Sequence, residues 1–190
     1  MEGSKMKKNI RHFVNKGITN GSLKIIEAFK VTKVSVKRGS IGEEVTTWGT
    51  DKEGNPIIKR KNKVKIDPKT NKTDYILTQL NHKGSVILDE NNNPRQWIVE
   101  ESFFLESFEQ NDRNPIIYEY KSPTEKFVKS NRNITVLNHN QPIQIGKGDY
   151  INVTDPINMY VIQKEEFESN YRLEEKEKEK QYTKKHNYSA

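Results

Sequence analysis

Two stretches of this chain align without a gap: WIVEESFFLESF (residues 97–108) and YVIQKEEFESNY (residues 160–171). Trp97 falls on Tyr160, Ile98 on Val161, Val99 on Ile162, Phe104 on Phe167 and Phe108 on Tyr171. Upstream, Thr73-Asp74-Tyr75-Ile76 is echoed by Gly148-Asp149-Tyr150-Ile151. Each copy therefore offers Asp-Tyr-Ile, an aromatic-plus-aliphatic strand, and two aromatics four residues apart. On a helix that spacing puts both rings on one face. The expected device is a strand leading into a helical turn whose rings cover the open side of a small sheet. The aspartates are expected to bond N–H groups of a turn while the tyrosine enters the sheet.

Around these landmarks the pattern is mostly that of short strands. VTKVSV, EEVTTW, IIKRKNKVKI, DYILTQL, GSVIL, IIYEY, NITVLN, PIQI, DYINV and MYVI are separated by Gly, Pro, Asn and Asp clusters. Residues 10–20 are weakly amphipathic and fit a short helix, EESFFLESFEQ reads as another, and the pattern turns helical again from Lys164. The helical reading beyond Lys164 puts Phe167, Tyr171 and Leu173 toward one side. The fold class expected is α+β and β-rich, with two tandem small antiparallel units, each a sheet plus a short helix. An N-terminal arm occupies 1–22, the first unit 23–112, the second 113–173 and a charged tail 174–190. Two such units of about 60 residues or more each gain by burying a core together.

Charge separates the two ends. Residues 1–66 carry a balance of +10 and the remainder −3, giving the net +7 of the 190-residue chain. A basic front third attracts acidic partners such as nucleic acid, an anionic membrane surface or an acidic protein. A general preference for Lys and Asn at solvated positions is the competing explanation. The densest run is Lys59-Arg60-Lys61-Asn62-Lys63-Val64-Lys65. Strand alternation would put residues 59, 61, 63 and 65 on one face, close to Trp48 as a base-stacking ring. The residues expected to touch nucleic acid or an acidic partner are thus Trp48, Lys59, Arg60, Lys61, Lys63 and Lys65. Edge strands are also loaded with lysine to prevent edge-to-edge aggregation, and this reading stands beside the first.

The second copy resembles the PGDYG-like small domain of uncharacterised phage and prophage proteins. The resemblance rests on Tyr120-Lys121, Gly148-Asp149-Tyr150-Ile151, Tyr160-Val161-Ile162 and the Phe167…Tyr171 pair, and covers roughly residues 118–172. Lys147 stands where that pattern has proline, and Pro156-Ile157-Asn158 replaces the usual Gly-Glu of its second turn. The first copy is a weaker match. The resemblance implies a fold and a phage-like origin, with action in a host cytoplasm or a virion. It carries over no catalytic residue.

Residue chemistry narrows the rest. With no cysteine there is no disulfide, thiolate metal site or cysteine nucleophile. His12, His82, His139 and His186 have no partners at metal-ligand or triad spacing. Phosphate-loop, dinucleotide, metalloprotease and nucleophile-elbow motifs are absent. No run of about 18 apolar residues predicts membrane insertion, and no apolar segment fits a signal peptide. No cofactor is expected. The reading favoured is a non-enzymatic interaction protein of phage-like origin, a virion-associated assembly component or a binder of host macromolecules, with protein partners that include itself. Alternatives are a nonspecific nucleic-acid binder acting through the basic hairpin, and a small-ligand-binding or hydrolytic protein with a site between the repeats.

Overall fold

The computed structural model describes residues 8–50, 53 and 56–174. In chain order the elements are α1 (Ile10–Thr19), β1 (Ile25–Arg38), β2 (Glu44–Thr50), β3 (Pro56–Lys63), β4 (Ile66–Asp67), β5 (Lys72–Thr73), β6 (Tyr75–Leu80), β7 (Gln96–Val99), α2 (Glu101–Ser107) and β8 (Phe108–Gln110). Then follow β9 (Ile117–Lys121), β10 (Glu125–Lys129), β11 (Ile134–Asn138), β12 (Gln141–Ile145), β13 (Tyr150–Asn152), β14 (Tyr160–Ile162), α3 (Lys164–Asn170) and β15 (Tyr171–Leu173). The protein is α+β and β-rich, and the strand pairs among the described residues are antiparallel apart from the isolated parallel bridge Asn9↔Leu137.

Two compact units emerge, drawn differently from the expected 23–112 and 113–173. One is continuous, Val31–Ser122; the other is discontinuous, Met1–Lys30 with Pro123–Ala190. The difference comes from how the strands pair. In the continuous unit the second half of β1 pairs with β6 (Val36↔Leu77, Arg38↔Tyr75) and with β9 (Val34↔Tyr118), while β6 also pairs with β7. In the discontinuous unit β10 pairs with β13 (Phe127↔Asn152, Lys129↔Tyr150), β13 with β14, and the first half of β1 with β10 (Ile26↔Phe127). The last strand of each copy closes the same way: β8 on β9 and β15 on β1. Each unit therefore takes one strand from the other repeat, β9 for the first copy and the start of β1 for the second.

Registers match position by position. Tyr75 faces Val99 and Leu77 faces Trp97, as Tyr150 faces Ile162 and Asn152 faces Tyr160. A cation lies over the equivalent tyrosine in both: Arg38 Cζ is 4.6 Å from the Tyr75 ring centroid and Lys129 Nζ 5.6 Å from that of Tyr150. The ring pairs stack, Phe104 on Phe108 with centroids 4.9 Å apart and Phe167 on Tyr171 at 5.0 Å. Tyr150 stacks on Phe167 at 3.6 Å. These rings form one apolar cluster in each unit, with Val34 and Leu77 in the first, Ala28 and Phe127 in the second. The helix expected from Lys164 ends at Asn170, and Tyr171–Leu173 is a strand. The backbone at Tyr171 is extended (φ −116°, ψ 150°), and pairing with Ala28–Lys30 satisfies groups that a longer helix would have used internally.

Part of the expected N-terminal arm, the helix from Ile10, belongs to a core, while residues 1–7 lie outside the described residues. Asn9 caps α1, its Oδ1 accepting the His12 N–H at 2.7 Å. Ile10, Phe13 and Val14 are buried against Val128, Val136, Ile145 and Ile151. Each such side chain contributes roughly 1.5–3 kcal/mol of burial, which a ten-residue helix needs, since short helices are marginal alone. GSVIL is likewise not a regular strand; residues 84–88 make only the isolated bridges Leu80↔Val86 and Leu88↔Pro94. The charged tail at 175–190 lies outside the described residues.

Candidate functional site

The two hairpins that follow the equivalent strands β1 and β10 diverge most. In the discontinuous unit, β11 and β12 join through His139-Asn140, with φ of 48° and 62°. Two left-handed residues make the tight turn that suits the twist of a hairpin. In the continuous unit the equivalent hairpin is longer, and Thr47 faces Arg60 while Trp48 faces Ile58. Lys59 is the extra residue of a bulge, so residues 59, 61, 63 and 65 do not share one regular strand face. Lys65 lies beyond the end of β3. The backbones of Trp48 and Lys59 belong to β2 and β3, but their side chains lie outside the described part of the structure.

Arg60, Lys61, Lys63 and Lys65 are exposed and line a groove of about 620 Å³. Trp97 and Ile98 of β7, Asp74, and Glu100 at the head of α2 line it as well. Trp97 is half-buried, packed against the aromatic cluster while lining the groove. Reading the sequence alone put Trp97 in the core and Trp48 at the basic ridge. A β7 residue approaches a hairpin more than thirty positions earlier only through tertiary packing, so no local signal could pair them. Glu44 also lines the groove and holds Lys61 at 3.4 Å.

The two repeat aspartates, Asp74 buried and Asp149 half-buried, do what turn chemistry requires. Asp74 Oδ2 accepts the Lys65 N–H at 2.9 Å, and Asp149 Oδ2 accepts the Gly146 N–H at 2.7 Å. Asp149 also accepts the N–H of Lys164 at the start of α3. The Gly148 of the second copy has φ +92°, a conformation glycine tolerates. The first copy spends β4 and β5 on this connection and places Asn71 (φ 57°) in its turn instead. That is why Thr73 can precede its Asp-Tyr-Ile.

Beside the groove, the start of α2 is held by two buried carboxylates. Asp67 is fully buried and accepts N–H groups of Lys69 and Ser102, each at 2.9 Å. The Ser102 hydroxyl and N–H hold its carboxyl below the usual carboxylate range. Glu101 is 4% exposed and pairs with Arg38, whose guanidinium depresses the Glu101 carboxyl against the opposing effect of burial. These carboxylates are consumed by the fold. Among the described residues no group of three His, Asp or Glu side chains is placed to hold a metal ion. Nor is any described helix long and apolar enough to cross a membrane. His82 is exposed and its carbonyl accepts from Lys33, while His139 serves the hairpin turn.

Comparison with protein families, curated proteins and solved structures finds no match for this chain. The internal repeat then serves as the reference. Arg60, Lys61, Lys63 and Lys65 occupy the positions that Gln141, Pro142, Gln144 and Gly146 hold in the other unit, as the strand registers and the Asp74 and Asp149 bonds establish. The same scaffold thus closes with no cation at any of the four positions.

Proposed function

We propose that the protein is a non-enzymatic binding protein of phage-like origin that engages an acidic macromolecule through the groove beside β3. The observation that carries this reading is the charge difference between equivalent positions. If lysine were needed to protect this hairpin edge, the neutral β12 would need it too. Four exposed cations lining one groove favour an anionic partner and faster encounter with it. The phage-like origin rests on the resemblance over residues 118–172.

The test is binding of the full chain to an oligodeoxynucleotide and to polyglutamate at low salt, compared with the double variant Arg60→Gln, Lys63→Gln. These exchanges install the residues of the other unit at exposed sites, where stability changes by about 0.5 kcal/mol or less. Binding of at least one polyanion, weakened in the variant, is expected. Failure to bind either at low salt would refute the reading.

A second reading, an accessory component of a virion or other assembly, rests on the same resemblance. It predicts that the chain elutes as an oligomer or co-purifies with a particle. A monomer whose ends are clipped at once by protease counts against it.

A further inference from the structure

We infer that Lys129 and Lys164 of the discontinuous unit hold a carboxylate supplied from outside the chain, at the place where the continuous unit uses its own Glu101. The site lies in a different unit from the cation-lined groove and does not depend on it.

The two repeats define the position. Arg38 faces Tyr75 across the sheet and Lys129 faces Tyr150, so the two cations are equivalent. Glu101 and Lys164 each open their helix, α2 and α3, behind the caps Glu100 and Gln163 with nearly the same backbone angles. In the continuous unit the Arg38 guanidinium donates to the Thr73 carbonyl and the Tyr75 hydroxyl, each at 2.9 Å, and pairs with buried Glu101. In the discontinuous unit a second cation, exposed Lys164, stands where that carboxylate would be.

The two lysines converge. A Cβ placed on Gly148 would lie 3.3 Å from Lys164 Cδ and 4.0 Å from Lys129 Cε. Lys129 Nζ stands 5.6 Å from the Tyr150 ring centroid. Among the described residues neither lysine has an ion-pair partner. The neighbouring carboxylate of Asp149 is engaged by the backbone, Oδ2 accepting the Gly146 N–H and Oδ1 that of Lys164.

This arrangement carries two costs. Like charges brought together repel, and a cation in the first turn of a helix opposes the helix dipole, where a carboxylate is favoured. The other repeat closes with a carboxylate at the same position, so the scaffold itself requires neither cost. Two exposed ammonium groups that share one point of the surface offer charge-assisted donors to an incoming carboxylate. Acidic side chains of a partner protein and free carboxylic acids both carry that group, and they differ in how many such groups arrive together.

The experiment follows backbone amides of the full chain by heteronuclear NMR at low salt, in the Arg60→Gln, Lys63→Gln background so that the groove contributes little. Sodium acetate, a triglutamate peptide with blocked ends, sodium phosphate and sodium chloride are titrated at matched ionic strength. Saturable shifts of the Gly148 and Lys164 amides with acetate or the peptide, and not with chloride, are the expected result. Lys129→Gln and Lys164→Gln should each weaken the response about 10-fold. A peptide that binds more tightly than its number of carboxylates explains identifies a protein source, and equal affinity per carboxylate identifies a free acid.

Lys164→Glu rebuilds the ion pair of the other unit. It should abolish the acetate shifts and raise Tm at low salt by about 1–3 °C. The two glutamine variants keep the site testable if Lys164→Glu misfolds. Equal shifts with chloride overturn the inference, as do shifts that persist in both glutamine variants. Binding of phosphate without acetate or peptide also overturns it.

Discussion

The aromatic sides of the two units are near copies, whereas their opposite sides follow different rules. In the discontinuous unit that opposite side is a large apolar cluster including Val128, Ile134 and Ile143, covered by α1. In the continuous unit the counterpart cluster is small, built on Val45, Val64 and Ile76. Here Lys37, Glu43 and Asn62 stand at the positions of Val128, Ile134 and Ile143. Lys37 and Glu43 pair at 2.9 Å on the surface. The lesson is that one backbone plan can close either with an added helix over apolar residues or with a salt-bridged polar surface. The copy without the helix is the one that carries the cation-lined groove and the longer hairpin.

The comparison is most severely tested by separating the repeats. Residues 1–114 lack β9, and residues 115–190 lack the start of β1, so each half is without a strand of its own unit. Neither half is expected to fold alone by circular dichroism or amide NMR, and mixing them should restore dispersed signals. A half that folds cooperatively by itself breaks the strand-exchange description.

A smaller effect is expected at one paired position. Gly39 corresponds to Ser130, and a Cβ on Gly39 would sit 2.5 Å from Val64 Cγ2. Gly39→Ala should cost about 1–3 kcal/mol through overpacking. Ser130→Ala should cost only about 1 kcal/mol, by losing the 2.8 Å bond from its hydroxyl to the Arg132 carbonyl. Urea midpoints for the two variants give the order, and the reverse order would contradict the packing.

Acid should loosen the continuous unit through Asp67 and Glu101. Both have folded pKa values depressed below the unfolded ones. Their stabilisation is present above the unfolded carboxylate range and is lost as pH falls through the folded values. Amide exchange in α2 and β4 should accelerate as pH drops below about 4, after correction for intrinsic exchange. Asp67→Asn with Glu101→Gln should flatten that dependence at the cost of lower stability at neutral pH.

The smallest effect is spectroscopic. Burial, aided by neighbouring Tyr160 and Glu125, pushes the Tyr171 hydroxyl up to about 12. A raised folded pKa means its contribution is complete below the unfolded value of about 10 and fades as pH rises toward 12. Burial also raises Tyr75 and Tyr160, so ultraviolet titration should show several late-ionising tyrosines, one of which, near pH 12, is removed by Tyr171→Phe, the residue type the other unit has at Phe108. A titration unchanged by that substitution would contradict the assignment.

Much of this architecture was legible in the chain. Trp97–Phe108 aligned with Tyr160–Tyr171, and the stacked ring pairs and equivalent registers follow that alignment. The candidate site was only half legible. The Lys59–Lys65 run is visible as composition, but the β7 residues that line its groove are not, and the bulge at Lys59 breaks the expected alternation.

What the sequence determined by itself is local: the turn residues, the periodicities, and the ring spacing that makes each aromatic face. Those depend on φ/ψ preferences and side-chain order over a few positions, which the chain states directly. Only tertiary structure decided which strand pairs with which. Backbone hydrogen bonds are chemically the same for every antiparallel pair, so β1 could have closed its own repeat as far as pairing alone is concerned. The exchange of β1 and β9, the burial of α1 and the approach of β7 to the basic groove are settled by packing between distant segments.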